Sequence, residues 1–90
     1  MNKTMSVIKK RKVKDSQYQV ILYSDHVNRC GYVVSCLMRI FGYPEELASK
    51  IVAEASQKGK AIAQVEDHDS AVIHTAQLNW EGLNAECEEI

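Results

Sequence analysis

The chain has 90 residues, 46% of them apolar, with one proline, four glycines and a net charge of −1. That is enough for one domain with a modest core, and too little for two. No stretch is apolar for long enough to span a bilayer, and the charged N-terminus has no apolar run behind it, so no secretory signal is expected.

Charge is unevenly placed. Six of the eleven basic residues are Lys3, Lys9, Lys10, Arg11, Lys12 and Lys14, and eleven of the twelve acids lie beyond Asp15. Residues 1–16 are polar, basic and aperiodic, so they read as a flexible basic arm in front of a core domain at 17–90. Tyr18 to Tyr23 reads as the first strand. Its unbroken Val20-Ile21-Leu22 predicts a central or doubly buried position. Ser24 to Arg29 is a polar loop, in which Asp25 or Asn28 could cap the next helix.

Gly31 to Phe41 carries Val33, Val34, Leu37, Ile40 and Phe41 at helical spacing. Gly42 stops that helix. Pro44 and two acids open a second one, with Leu47, Ala48, Ile51, Val52 and Ala55 as its expected core face. Lys58-Gly59 ends it. Lys60 to Val65 is the second strand. Glu66 to Ser70 opens a third helix, with Ala71, Val72, Thr75, Ala76 and Leu78 expected on its buried side. Gly82 ends that helix, Leu83 turns back to the core, and Asn84 to Glu88 forms a short edge strand whose charges discourage pairing with other chains. The order β-α-α-β-α-β, with few strands, predicts a small α+β two-layer sandwich.

Chemistry-bearing motifs are sparse. There is no glycine-rich phosphate loop, His-Glu-x-x-His or nucleophile elbow. Cys30, Cys36 and Cys87 are an odd set without a Cys-x-x-Cys pair, which fits neither a disulfide framework nor a zinc site, and they read as small reduced packing residues. Asp25, His26 and Cys30 could form a thiol triad, but adjacent Asp25 and His26 side chains tend to point apart, and a buried or half-buried Cys30 is the simpler reading. His68 and His74 cannot share one helix face. His68 is expected at a solvated helix start, and His74 on the exposed face of the third helix. The Lys9-Lys10-Arg11-Lys12 run would suit nucleic acid or an anionic membrane, but it has no interleaved aromatics and no amphipathic helix behind it, and the body is acidic.

Three features together resemble the ClpS adaptors of Clp-type AAA+ chaperone–proteases: Tyr-Gln-Val-Ile-Leu-Tyr before a polar loop, Ile40-Phe41-Gly42-Tyr43 closing the first helix, and Gly59-Lys60-Ala61-Ile62 opening the second strand. The resemblance runs from about Tyr18 to the C-terminus. It implies the α+β sandwich with a mobile arm, and a non-enzymatic adaptor without metal or cofactor. Such an adaptor hands substrates to the chaperone by their N-terminal residue, an N-degron. It implies partners of two kinds, a ClpA- or ClpC-type chaperone and polypeptides with hydrophobic N-terminal residues, and a monomer in bacterial cytoplasm, with plastid stroma as the other compartment.

Carried over residue by residue, the resemblance places the substrate's α-ammonium at Ser24, Asp25, His26 and Ser56. The family has Asn-Asp-Asp in the loop and a histidine at the last position, so only Asp25 keeps the family's residue. A buried ammonium needs acceptors and a carboxylate within reach, and a protonated His26 would repel it. The first side chain maps to Cys30, Val33, Val52 and Ala55. Cys30 and Val52 stand where the family commonly has methionine, so a roomy apolar pocket is expected. Chaperone docking maps to Val27, Asn28 and the segment from Asp69 to His74. The altered ammonium set leaves a second reading of the same fold, a regulator that has lost N-degron binding. A nucleic-acid-associated protein using the arm, and a small thiol enzyme, are the remaining alternatives.

Overall fold

The computed structural model describes residues 17–90, so the expected basic arm at 1–16 lies outside the described residues. The strand Tyr18–Tyr23 (β1) lies in the middle of a three-stranded antiparallel sheet, between Lys60–Glu66 (β2) and Ala85–Glu89 (β3). Its apolar run explains that place. Val20, Ile21 and Leu22 are all buried, and Val20 and Leu22 enter the core. Three helices supply the second layer: Cys30–Phe41 (α1), Glu45–Lys58 (α2) and His68–Trp80 (α3). The α+β order read from the sequence is the order found.

The core lies between sheet and helices. Val33, Cys36 and Leu37 of α1, Ala48, Ile51, Val52 and Ala55 of α2, and Ala71 and Leu78 of α3 meet Val20, Leu22, Ala61, Ala63 and Ala85 of the sheet. The buried positions of α2 follow the 3.6-residue period. Leu47, expected among them, is 40% exposed. It lies about 100° round the helix from Ala48, just past the edge of the apolar stripe. On α3, Val72 and Ala76 also face solvent, because the contact stripe is narrow and runs through Ala71 and Leu78.

A register shift between Val20 and Ile21 leaves Ala63 of β2 as an extra residue in the ladder. Such a bulge leaves one residue unpaired. Here the Ala63 carbonyl accepts the Tyr43 hydroxyl at 2.6 Å, which ties the α1–α2 corner to the sheet.

The loop glycines do more than end helices. Gly59 caps α2 at φ 92°, and its carbonyl accepts the Ser24 amide at 2.9 Å, fixing the start of the polar loop. A Cβ at Gly59 would meet nothing within 4 Å, so only the left-handed backbone resists substitution. Gly59→Ala is expected to lower stability by about 1–2 kcal/mol in urea unfolding. A loss under about 0.5 kcal/mol, the ordinary scatter of surface changes, would show that the turn relaxes without strain.

Candidate functional site

The loop from Ser24 to Arg29 is organised by one carboxylate. Asp25 Oδ1 accepts the backbone amides of Val27 (2.6 Å) and Asn28 (2.9 Å), and Oδ2 accepts Asn28 Nδ2 at 2.7 Å. This is an Asx turn closed by its own third residue. It corrects the sequence expectation of a helix cap at Asp25 or Asn28. The residue before α1 is Arg29, which makes no side-chain cap bond. The Asp25 and Asn28 groups were already committed one turn earlier in the loop.

Asn28 also reaches across the fold. Its Nδ2 donates to the Gly82 carbonyl at 3.0 Å, while the Tyr23 amide donates to the Asn84 carbonyl at 2.9 Å. The loop is therefore pinned at Gly59 behind α2 and at Gly82 behind α3. The hydrogen bonds from Asn28, backbone first and then side chain, together with that from Val27, hold the Asp25 carboxyl below its ordinary range. The group is thus ionised at neutral pH.

All eight residues assigned to ligand contact line one cavity of about 100 Å³. Ser24, Asp25 and His26 form its loop side. Ser56 and Val52 come from α2 one turn apart, with Ala55 between them. Cys30 and Val33 come from the first turn of α1. Leu22, Tyr23 and Asn28 complete the lining. Asn28 was not assigned to the cavity from sequence, although its place three residues after Asp25 is the Asx-turn spacing that signals it. Among the described residues Asp25 is the only carboxylate on this lining, and no lysine or arginine belongs to it.

Two expectations need correction. Cys30 is exposed rather than buried or half-buried, because the first turn of α1 rises out of the loop at the edge of the molecule. The cavity is also smaller than the small side chains at Cys30 and Val52 promised. The room they leave lies at the cavity's rim, where both residues also line an outer groove of about 540 Å³ between α1 and α2. The inner space is smaller than the apolar cavity of about 150 Å³ that accepts benzene, so it has room for one side chain at most. His26 hydrogen-bonds neither to Asp25 nor to Cys30 among the described residues, so the orientation that a thiol triad requires is missing.

The residues expected to dock a chaperone divide. Val27 is 90% exposed, and Asp69 is freely exposed at the start of α3, 2.9 Å from His68 Nδ1. Asn28 is committed to Asp25 and Gly82. His74, expected on an exposed face, is half-buried: its Nδ1 donates to Glu66 at 2.7 Å and its ring lies 4.6 Å from that of Phe41. His68 stands at a solvated helix start as expected, its ring edge-on to Tyr18. Cys36 is buried and Cys87 half-buried, as packing residues. Among the described residues no three His, Cys, Asp or Glu side chains are grouped to hold a metal ion. No described helix is long and apolar enough to cross a membrane.

Comparison with known proteins gives one family. The family described as ATP-dependent Clp protease adaptor protein ClpS matches residues 13–86. The ATP-dependent Clp protease adapter protein ClpS of Mycobacterium tuberculosis is 29% identical over 77 residues, covering 86% of this chain and 76% of that protein. The protein of the same name in Syntrophus aciditrophicus is 35% identical over 63 residues, covering 70% of this chain and 59% of that one. Among solved structures, that of Agrobacterium tumefaciens ClpS2 bound to L-phenylalaninamide superposes with a TM-score of 0.78 at 21% identity, over 83% of this chain and 98% of that one. The shared fold includes the three-stranded sheet and its helical layer.

Proposed function

The chain belongs to the ClpS family of ATP-dependent Clp protease adaptors, and on that premise we propose that it selects its substrates by a free N-terminal hydrophobic residue. What supports the reading is the cavity: one ionised carboxylate on the loop side, flanked by Ser24, His26 and Ser56, above a wall of Cys30, Val33, Val52 and Ala55. A carboxylate is the natural acceptor for an α-ammonium, and a charged hydrogen bond is the strong kind. The apolar wall then receives the first side chain. A bound L-phenylalaninamide in the Agrobacterium structure has the same two parts, a free amine and an apolar side chain.

On this reading Ser24 and Ser56 are neutral hydrogen-bond partners, and the protein is a binding module rather than an enzyme. It docks, as a monomer, on the N-domain of a ClpA- or ClpC-type chaperone in the bacterial cytoplasm. Val27 and Asp69 supply exposed docking groups, while Asn28 and His74 hold those two segments in place from beneath. The basic residues 1–16 take part in delivery, and 17–90 form the adaptor core.

The test is fluorescence anisotropy of labelled peptides with free N-terminal Phe, Leu or Ala, with N-acetyl-Phe as control. Micromolar or tighter binding of free Phe and Leu, without binding of Ala or acetyl-Phe, is the expected result. No binding to any of them would overturn N-degron selection. One observation favours a second reading in that event. An ionised carboxylate offers roughly four acceptor positions, and three donors of the loop already use Asp25. A chain that had turned this residue wholly to loop structure would still dock on the chaperone and regulate it without selecting N-termini.

A further inference from the structure

The outer groove is not a separate feature of the surface. Cys30, Val52 and Ser56 line it and the inner cavity alike, so the two spaces adjoin along that shared wall. From there the groove follows the whole α1–α2 hairpin. On α2 its lining positions are 45, 49, 52, 53, 56 and 57, one stripe of the helix; on α1 they are 30, 31, 34, 35 and 38, again one stripe. The helices run antiparallel, so Cys30 and Ser56 mark one end, and Met38 and Glu45 the other.

Its chemistry is directional. Near the inner cavity and along the middle it is lined mostly by small or apolar groups, Cys30, Val34, Ser49, Val52 and Ala53 among them, with Gln57 the one large polar side chain there. Among the described residues the one charged residue on it is Glu45, at the far end, and no cationic one lines it. Ser56 to Glu45 is eleven residues of α2, or about 16 Å at the helical rise of 1.5 Å per residue. An extended chain covers that in about five residues at 3.3 Å each.

We propose that the α1–α2 groove binds the polypeptide segment that follows the substrate's N-terminal residue, preferring apolar residues with a basic one about five places behind the first. The proposal rests on the N-terminal reading above. Adjacency at Cys30, Val52 and Ser56 supplies the route, and Glu45 supplies the charge complement. The small side chains at this wall have a consequence here: a large residue at position 30 or 52 would separate cavity from groove. The chain thereby reads a short segment, not a single residue.

The experiment compares two peptides with free N-terminal Phe: a Phe-Ala dipeptide, and a seven-residue peptide with apolar residues after Phe and lysine at the sixth position. The longer peptide is expected to bind roughly tenfold tighter, and replacing its lysine by glutamate to remove much of the gain. Ser49→Trp, on an exposed helix position in the groove, is expected to abolish the gain and leave dipeptide affinity unchanged. Lys50→Trp, one residue on and outside the groove, is expected to leave both unchanged, which controls for folding. A dipeptide that binds with no gain from the tail, or a gain insensitive to Ser49→Trp, overturns the groove proposal alone. A dipeptide and a heptapeptide that both fail to bind overturn the N-terminal reading and this proposal with it.

Discussion

Asp25→Ala is expected to weaken binding of a peptide with a free N-terminal Phe by roughly a hundredfold or more. Two effects act together. The variant removes the only carboxylate that the described residues place on the cavity lining, and a lost charged hydrogen bond costs about 1.5–3 kcal/mol. It also releases the Val27 and Asn28 amides and the Asn28 side chain from their common acceptor, so the loop no longer holds its shape against Gly59 and Gly82. Asp25→Asn goes part of the way to separating the two: its amide oxygen can still accept the Val27 and Asn28 backbone amides, while its NH2 carries no charge and cannot accept Asn28 Nδ2. It is expected to lose roughly tenfold. Anisotropy titration measures both, with circular dichroism to show that the sheet and helices remain. Affinity within about twofold of the unmodified protein for Asp25→Ala would sink the role of this carboxylate.

The same bonds set a pH dependence for the loop. Because the folded carboxyl is held below its ordinary value, its contribution is fully present above about pH 3.9, the unfolded value. It is lost as pH falls through the lower folded value. Peptide binding that relies on Asp25 therefore keeps its charge partner throughout the neutral range.

Leu37→Ala should have the largest effect on stability. Leu37 is 0% exposed and sits in the core with Val20, Cys36 and Leu78. Removing a buried leucine side chain costs the transfer term and leaves a cavity, together about 2–5 kcal/mol. A domain of this size has about 5–15 kcal/mol in all. Urea unfolding is expected to show a much lower midpoint with unchanged slope. Leu47→Ala is the comparison. It removes the same atoms from a residue that is 40% exposed, and is expected to change stability by no more than about 0.5 kcal/mol. Similar losses for both would mean that the α2 edge packs as the core does.

Much of the fold was legible because single residues carried it. Val20-Ile21-Leu22 marked the central strand by lacking any polar alternation. Gly42, Gly59 and Gly82 marked the three helix ends, and each adopts a positive φ. The third helix was legible only in its extent. Val72, Ile73 and Ala76 make it apolar on several sides, so spacing alone could not choose between the stripe through Ala71 and Leu78 and the one through Val72 and Ala76. His74 is turned inward by groups outside its own helix, Glu66 eight residues before it and Phe41 of α1.

The sequence by itself determined the element order, the helix stops and the central strand, because each follows from local periodicity or backbone freedom, and its resemblance to a family supplied eight of the cavity residues but not Leu22, Tyr23 or Asn28. Only the tertiary structure decided how those cavity residues are used. Asp25 closes an Asx turn instead of capping a helix, since its partners are the amides the loop brings within reach. Cys30 stands at the rim, and the room beside it joins a groove instead of deepening the cavity. Those outcomes depend on where α1 lies against α2 and on carbonyls at Gly59 and Gly82 that anchor the loop from behind. Such contacts link residues up to fifty-four positions apart, and no local pattern encodes them.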